Sequence, residues 1–273
     1  MTKQTLSSSK TSGTFVFMRA FAVAKRDVKS FLVSPSSYVV LTSGLVLASY
    51  FFFHFLATYN AAVSRAMSNP GVAGELGLSL NAQVIEPYFQ TLSALFVFIV
   101  PLFAMRSFSE EKERGTLELL MSSPATSAEL VIGKFLGLTA VFSSFCMLCF
   151  MLPLSVWFAL SFELLPAVGA AFGVTIFGLS LCALGILASI LSGRQYIACS
   201  VSLIGFLLLY SLHAPAEYVS EATAQVLYAL SPGYYLRDCV KGVLSSAAIL
   251  YFGSLISLGL IASTVSFDYT ARR

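Results

Sequence analysis

An uncharged run and the charged stretch after it decide the fold of this chain. The run is Thr91-Leu-Ser-Ala-Leu-Phe-Val-Phe-Ile-Val-Pro-Leu-Phe-Ala-Met105, and the stretch is Arg106-Ser-Phe-Ser-Glu-Glu-Lys-Glu-Arg-Gly-Thr-Leu-Glu118. Seven of the thirteen residues in the stretch are charged, whereas the run has no charged side chain. Because charged side chains are costly in lipid, this change predicts a helix that lies in a bilayer and then enters water. We call residues 106–134 the polar segment.

The whole sequence has the composition of a membrane protein. Of its 273 residues, 57% are hydrophobic and 11% are charged, and its mean hydropathy is +0.84; a soluble domain carries about 25% charged residues. A helix needs roughly 20 apolar residues to cross a bilayer. Six runs approach or exceed that length: Tyr38–Thr58, Tyr88–Met105, Phe135–Leu160, Ala167–Leu191, Tyr196–Leu212 and Val243–Val265. The sequence therefore predicts an all-α membrane protein, with one six-span domain over residues 35–273.

The positive charges divide unevenly between the two sides of such a chain. If the N-terminus is cytoplasmic, 13 of the 16 lysines and arginines lie in the cytoplasmic parts, which include the polar segment and both tails. The external loops, 59–87 and 213–242, contain the other three: Arg65, Arg237 and Lys241. Since cytoplasmic loops are enriched in lysine and arginine, we expect both termini and the polar segment in the cytoplasm.

Residues 15–34 predict an amphipathic helix on the inner membrane surface, after a polar tail formed by residues 1–14. Apolar side chains recur at helical spacing, as at Phe15, Met18 and Phe21. The other face carries four basic residues: Arg19, Lys25, Arg26 and Lys29. Such a helix binds membrane lipid, because its cations are attracted to anionic headgroups. The alternative is a basic tail that only follows the charge bias of cytoplasmic segments.

The polar segment predicts a helix, a break and a second helix. Ser107 and Glu110 have the spacing of a capping box, and Glu110 lies four residues before Arg114, where the two can form an ion pair. Gly115 costs about 1 kcal/mol inside a helix relative to alanine, which indicates a bend or a close approach by another backbone. A second capping box, Thr126-x-x-Glu129, is expected to begin the helix of the third span.

The first of these helices is expected to continue to Pro124. Leu117, Leu120 and Met121 recur at helical spacing and would form an apolar patch on it. A helix joined closely to the second and third spans would move both spans when it is pushed. From the residues alone, an ordinary solvated loop is an equally good interpretation.

Several kinds of site are missing from the sequence or weakly indicated. The chain has no Gly-x-x-x-x-Gly-Lys-Ser/Thr loop, so any ATP-binding site of that kind must lie on another polypeptide. Cys146-x-x-Cys149 is better explained by packing than by metal binding. The pairs Gly133-x-x-x-Gly137 and Gly169-x-x-x-Gly173 permit close helix contacts and are weak evidence for a dimer face. The spans contain almost no ionisable residues, which argues against ion-coupled transport.

Four stretches of the chain resemble one family of membrane proteins. They are Met105–Leu120 with Ser122-Ser-Pro124, Glu129-Leu-Val-Ile-Gly-Lys-Phe-Leu136, Ser30-Phe-Leu-Val-Ser-Pro-Ser-Ser-Tyr-Val-Val40 and Leu230-Ser-Pro-Gly-Tyr-Tyr-Leu-Arg-Asp238. Together they resemble the type-2 ABC exporter permeases, and most closely the branch that includes the gliding-motility-associated ABC permeases. The resemblance covers nearly the whole chain.

The resemblance implies a non-catalytic membrane subunit of an exporter in the bacterial cytoplasmic (inner) membrane. Such permeases work as dimers, formed with a second copy or a related permease, and are driven by separate cytoplasmic ATPase subunits that bind ATP and Mg²⁺. Residues 15–32 would be the connecting helix of the family. This chain would bind no cofactor, metal or nucleic acid of its own. The residues implied to contact the ATPase are Glu110, Glu111, Arg114, Gly115, Thr116, Leu117 and Glu118.

Two other classes of function remain open from the sequence. One is a membrane anchor or scaffold, without transport, in a motility or envelope complex. The other is a channel or secondary transporter, which would need more polar side chains along its spans than this sequence has. The cargo of an exporter does not follow from these residues.

Overall fold

The structure, a computed structural model, describes residues 5–68, 79–117, 126–157 and 163–271, and these parts contain helices and no strands. A π-helical turn, Asn81–Ile85, precedes α3, and a 3-10 turn, Ala214–Tyr218, follows α7. The α-helices are α1 (Thr5–Val33), α2 (Pro35–Ser68), α3 (Glu86–Ala104), α4 (Ser109–Glu113), α5 (Ser127–Trp157), α6 (Leu164–Leu191), α7 (Gln195–Ser211), α8 (Glu221–Leu230), α9 (Pro232–Val240) and α10 (Ser246–Ala271).

Six of these helices are long and apolar enough to cross a membrane: α2, α3, α5, α6, α7 and α10. The predicted all-α membrane fold is confirmed, and each predicted span corresponds to one of these helices. The spans α3 and α6 are the most buried, while α2, α7 and α10 contain the smallest share of buried residues. The core therefore lies along α3 and α6, and α6 contacts α3, α5, α7, α9 and α10.

Aromatic rings fill the centre of this bundle. Phe96 and Phe142 meet edge to face with ring centroids 4.8 Å apart, and both rings are fully buried. The absence of a side chain at Gly178 makes room for them, since a Cβ there would lie 2.1 Å from the Phe142 ring. Close approach at a glycine thus allows α6 to contact α5 at the level of the core.

The first of the two predicted external loops is shorter than the sequence predicted. Residues 59–68 continue α2, and helical structure resumes before residue 87, so the prediction of a loop across 59–87 is wrong at both ends. Ala61, Ala62 and Arg65-Ala-Met67 are good helix formers beyond the apolar run, which explains why α2 does not end at Thr58. Residues 69–78 lie outside the described residues.

The second predicted external segment, 213–242, is mostly helical. Helices α8 and α9 are separated by Ser231, because the residue before a proline is disfavoured in the helical conformation. Gly242, at φ +82°, then turns the chain towards α10. Much of the predicted 213–242 loop is therefore built from short helices, of which α9 packs on α6.

The N-terminal helix begins earlier than predicted and packs along α5. It starts at Thr5, inside the predicted polar tail, and its buried face is formed by Ala20 and Ala24. A Cβ at Gly133 would lie 2.8 Å from the carbonyl oxygen of Ala20, and one at Gly137 would lie 3.2 Å from that of Ala24. Both helices advance by four residues between these contacts, so they run side by side in the same direction.

Both glycine pairs are used for contacts within the chain. The first pair faces α1, while Gly169 and Gly173 face Gly242 and Cys239 at the other end of the bundle. The suggestion that these pairs form a dimer face is therefore wrong, because their surfaces are already covered by helices of the same chain.

Part of the predicted apolar stripe of α1 points away from the bundle. Met18, Phe21 and Leu32 are exposed, and the side chain of Phe15 lies outside the described part. Phe31, further along the same stripe, packs against Phe103 of the core with ring centroids 5.5 Å apart. Exposed apolar side chains next to six membrane-type helices are suited to contact with lipid. The interfacial position of α1 stays a prediction.

Candidate coupling site

The polar segment leaves α3 through a short turn and forms α4. The prediction that this helix continues to Pro124 is wrong, because α4 ends at Glu113 and Gly115 adopts φ +69°. Only glycine adopts that conformation readily, so the residue that sequence reasoning took for a bend ends the helix. The predicted patch residues Leu120 and Met121, the predicted contact residue Glu118 and Pro124 lie outside the described residues.

The N-terminus of α4 is capped by a residue from a distant helix. The Oγ of Ser189, near the end of α6, accepts hydrogen bonds from the amides of Phe108 and Ser109, both at 3.0 Å. The Ser109 hydroxyl donates to the Ser189 carbonyl at 2.9 Å. The predicted cap by Ser107 is therefore wrong: α4 has no cap from its own preceding side chains, and the Ser107 carbonyl accepts a bond from Lys134 instead.

A second bond fixes α4 to the same end of α6. The Nζ of Lys112 donates to the Ile190 carbonyl, one of the carbonyls left free at a helix C-terminus. The sequence predicted that a push on this helix moves the second and third spans. The structure adds a direct connection to α6, the fourth span.

A buried lysine joins α4 to α1 and α5. Lys134, on α5, has a side chain only 3% exposed, and its Nζ lies 3.2 Å from Asp27 Oδ2 and 3.0 Å from Glu111 Oε1. The same Glu111 oxygen accepts from Arg26 at 3.0 Å, and the Lys134 ammonium lies 4.8 Å from the centre of the Phe108 ring. A buried ammonium between two carboxylates is compensated, whereas one without them would be costly.

The far side of the segment faces outward. The predicted pair forms, with Glu110 Oε1 and Arg114 Nη2 2.6 Å apart, and the Arg114 side chain is 71% exposed. Glu113, Gly115 and Thr116 are also exposed. We call residues 113–116 the exposed turn. Leu117, in contrast, is half-buried and packs against the core, so the predicted contact residues divide into an inward and an outward group.

The basic residues predicted on α1 at positions 25, 26 and 29 are all exposed. Arg26 differs from the two lysines because its guanidinium pairs with Asp27 and Glu111 and so joins the network around Lys134. An oxygen of Glu129 lies 4.0 Å from Arg19. The second predicted capping box is confirmed, because the Thr126 amide donates to Glu129 at 2.9 Å and the Glu129 amide donates to the Thr126 hydroxyl at 3.3 Å.

The comparison with protein families agrees with this architecture. The model of the ABC-2 family transporter proteins matches residues 21–247, which include α4 and its partners on α1, α5 and α6. The chain belongs to the ABC-2 transporter family. No curated protein gave a significant match to it. As an ABC-2 permease, the chain is a multi-pass membrane protein and a membrane component of a transporter.

Three residues of the permease site were missed from the sequence: Asp27, Lys134 and Ser189. The first had a detectable signal, since Asp27 is the only acidic residue before Glu75. Lys134 was counted only as a cytoplasmic charge, although it directly precedes an apolar run. Ser189 gave no signal, because serine is common in the spans and its partners are 80 residues away in the chain.

The permease contains no metal site in the parts that the structure describes, where no group of three or more histidine, cysteine or acidic residues lies together. Cys146 and Cys149 are buried in the core. Helix α4 is instead suited to transmit movement. It is bonded to the three longer helices α1, α5 and α6, and the exposed turn that follows it is accessible to a partner.

Replacing Ser189 with alanine is expected to loosen α4. The amides of Phe108 and Ser109 would lose their acceptor, and loss of a helix cap costs about 1 kcal/mol. Amide hydrogen exchange measured by mass spectrometry should then be several-fold faster in peptides that cover α4. Ser180→Ala is the matched control, because that buried hydroxyl on α6 donates only to the Phe177 carbonyl of its own helix. Equal exchange in both variants would contradict the capping role.

Proposed function

We propose that this permease is the membrane-spanning subunit of an ATP-driven exporter and that a separate cytoplasmic ATPase contacts the exposed turn. One observation carries the proposal: α4 is bonded on its inner side to α1, α5 and α6, while residues 113–116 are open on the other side. If a partner displaces the exposed turn, α4 can transmit that displacement to α1, α5 and α6 together. Family membership supports a partner of this kind.

The remaining parts of the proposal follow from charge and resemblance. The bias of lysine and arginine supports cytoplasmic termini, with the exposed turn on the same side. The resemblance to the gliding-motility-associated branch supports a dimer in the bacterial inner membrane, with ATP and Mg²⁺ bound by the ATPase. Such a dimer would form the translocation pathway between its two copies.

The bonds of α4 give the proposal a route for the movement. Displacement of the exposed turn acts on α5 and α1 through Glu111, Lys134 and Arg26, and on α6 through Ser189. Since α6 contacts most of the other spans, a shift at its end would change their packing. The pathway then opens or closes as the ATPases bind and hydrolyse ATP.

The proposal is tested by reversing the charges of the exposed turn. The double variant Glu113→Lys, Arg114→Glu should lower the amount of ATPase that copurifies with the tagged permease at least tenfold, since lost interfacial charge pairs cost about 2–5 kcal/mol. Copurified subunits are identified by mass spectrometry from their Walker sequences. The abundance of the permease in the membrane should not change, because both side chains are exposed.

The control is Arg237→Glu, which repeats the second of these reversals at an exposed position on α9. Helix α9 packs near Gly169 and Gly173, at the opposite end of α6 from Ser189. This variant should retain the ATPase. If the double variant copurifies as much ATPase as the wild type, or if no ATPase accompanies either protein, the proposed function is wrong.

A further inference from the structure

Arg106 lies where α3 ends and reaches the corner between α1 and α2. Its Nη1 donates to the hydroxyls of Ser34 at 2.9 Å and Ser37 at 3.0 Å, and its Nη2 donates to that of Ser36. All three acceptors are neutral. A guanidinium has five N–H donors, so these bonds leave at least one donor for another group.

Arg106 lines a cleft in which the other charged side chains are balanced, three cations against three carboxylates. The cleft has a volume of about 270 Å³ and is lined by four cations and three carboxylates. Arg26 and Lys134 pair with Asp27 and Glu111, and Arg114 pairs with Glu110, so each carboxylate has a cationic partner. The second oxygen of Glu111, Oε2, is buried without a hydrogen-bond partner among the described residues. Within the described ranges, Arg106 has no carboxylate partner, so the cleft carries one uncompensated positive charge.

The serines beside Arg106 are suited to an anion. Their oxygens accept from the guanidinium, which directs their own hydrogens elsewhere. Ser34 and Ser36 lie 3.0 Å apart, and one hydroxyl donates to the other, so the second hydrogen is free. Ser36 is exposed, and Ser34 lines the cleft together with Arg106. A guanidinium with a neighbouring hydroxyl donor is the chemistry that binds a phosphate group.

The surface around this corner is apolar. Val33 is 72% exposed and Val39 is 68% exposed, on either side of the serines, and Leu32 and Tyr38 are about half exposed. Lys29, one helical turn before Val33 on α1, is also exposed. A free phosphate ion would gain nothing from exposed apolar side chains, whereas the acyl chains of a lipid would cover them.

We propose that Arg106, with Ser34 and Ser36, binds the phosphate group of an anionic phospholipid whose acyl chains lie against the apolar side chains at the start of α2. The bound lipid compensates the charge that the protein leaves unpaired. It also joins the corner between α1 and α2 to the end of α3, next to the polar segment. This site goes beyond the proposed function and does not depend on an ATPase.

Lipid titration of the purified full-length protein tests the site. Native mass spectrometry in detergent should show tighter binding of phosphatidylglycerol than of phosphatidylcholine to the wild type. Arg106→Gln should weaken phosphatidylglycerol binding about tenfold or more, as expected for a lost hydrogen bond to a charged group. Arg237→Gln, at an exposed position on α9, removes the same charge and should bind like the wild type.

Two further variants and a comparison with inorganic phosphate test the same site. If Arg106→Gln does not fold, Ser36→Ala provides the test, because it keeps the guanidinium and changes an exposed side chain; it should weaken phosphatidylglycerol binding several-fold. If phosphatidylglycerol binds the measured variant, Arg106→Gln or Ser36→Ala, as tightly as the wild type, the proposed site is wrong. A loss with Lys29→Gln as large as that with Arg106→Gln would also overturn the site, because it would indicate general attraction to the surface. Thermal stabilisation by inorganic phosphate equal to that by phosphatidylglycerol would overturn the lipid as the ligand.

Discussion

Replacing Lys134 with methionine is expected to lower the free energy of unfolding by about 3 kcal/mol. This value is the lower end of the range for removal of one partner from a buried ion pair, because the side chains of Asp27 and Glu111 are still 23% and 19% exposed. Since proteins are stable by only about 5–15 kcal/mol, the loss should be visible as a large drop in the unfolding temperature in detergent and in the yield of monodisperse protein.

Lys241→Met is the matched control for this variant. Lys241 is exposed beside α9, outside the buried network, and its replacement should change the unfolding temperature little. The double variant Lys134→Met, Asp27→Asn should be more stable than the sum of the two single effects predicts, because both single variants lose the same Lys134–Asp27 contact, which the double variant loses only once. Equal stabilities of Lys134→Met and Lys241→Met would show that the buried network contributes nothing.

Gly133→Leu is expected to separate α1 from α5. A Cβ alone at this position would lie 2.8 Å from the carbonyl oxygen of Ala20 and 2.9 Å from the Cβ of Val23, neither of which is the end of a flexible side chain. Overpacking of this kind costs about 1–3 kcal/mol, and here α1 can relieve it by moving away. Limited proteolysis should therefore cut α1 faster in the variant than in the wild type.

Gly205→Leu, on α7, is the control for the glycine variant. No atom lies within 4 Å of a Cβ built there, so the same added side chain meets open space. Cleavage of α1 in this protein should match that in the wild type. If both leucine variants were cut at the wild-type rate, close contact at Gly133 would not fix α1. In Gly133→Leu, separation of α1 from α5 should also weaken the ion pair between Arg26 on α1 and Glu111 on α4.

The predictions that succeeded concern residues close together in the chain. Thr126 and Glu129 form their capping box, and Glu110 pairs with Arg114, because partners three or four residues apart meet whenever a helix forms. The prediction for Ser107 had the same spacing and was wrong. Ser189 occupies the position of the cap, and the Ser107 carbonyl is bonded to Lys134.

The sequence by itself determined the helical class, the six membrane-type runs and the polar segment between the second and third of them. The length of an apolar run and the spacing of capping residues can be read from short stretches of sequence. They are sufficient to predict the spans and the polar segment between them. Only the tertiary structure decided which charges are buried, which glycines receive a neighbouring helix and which part of the polar segment is exposed. Asp27, Glu111 and Lys134 are far apart in the chain, and no local pattern specifies that three helices bring them within 3.2 Å.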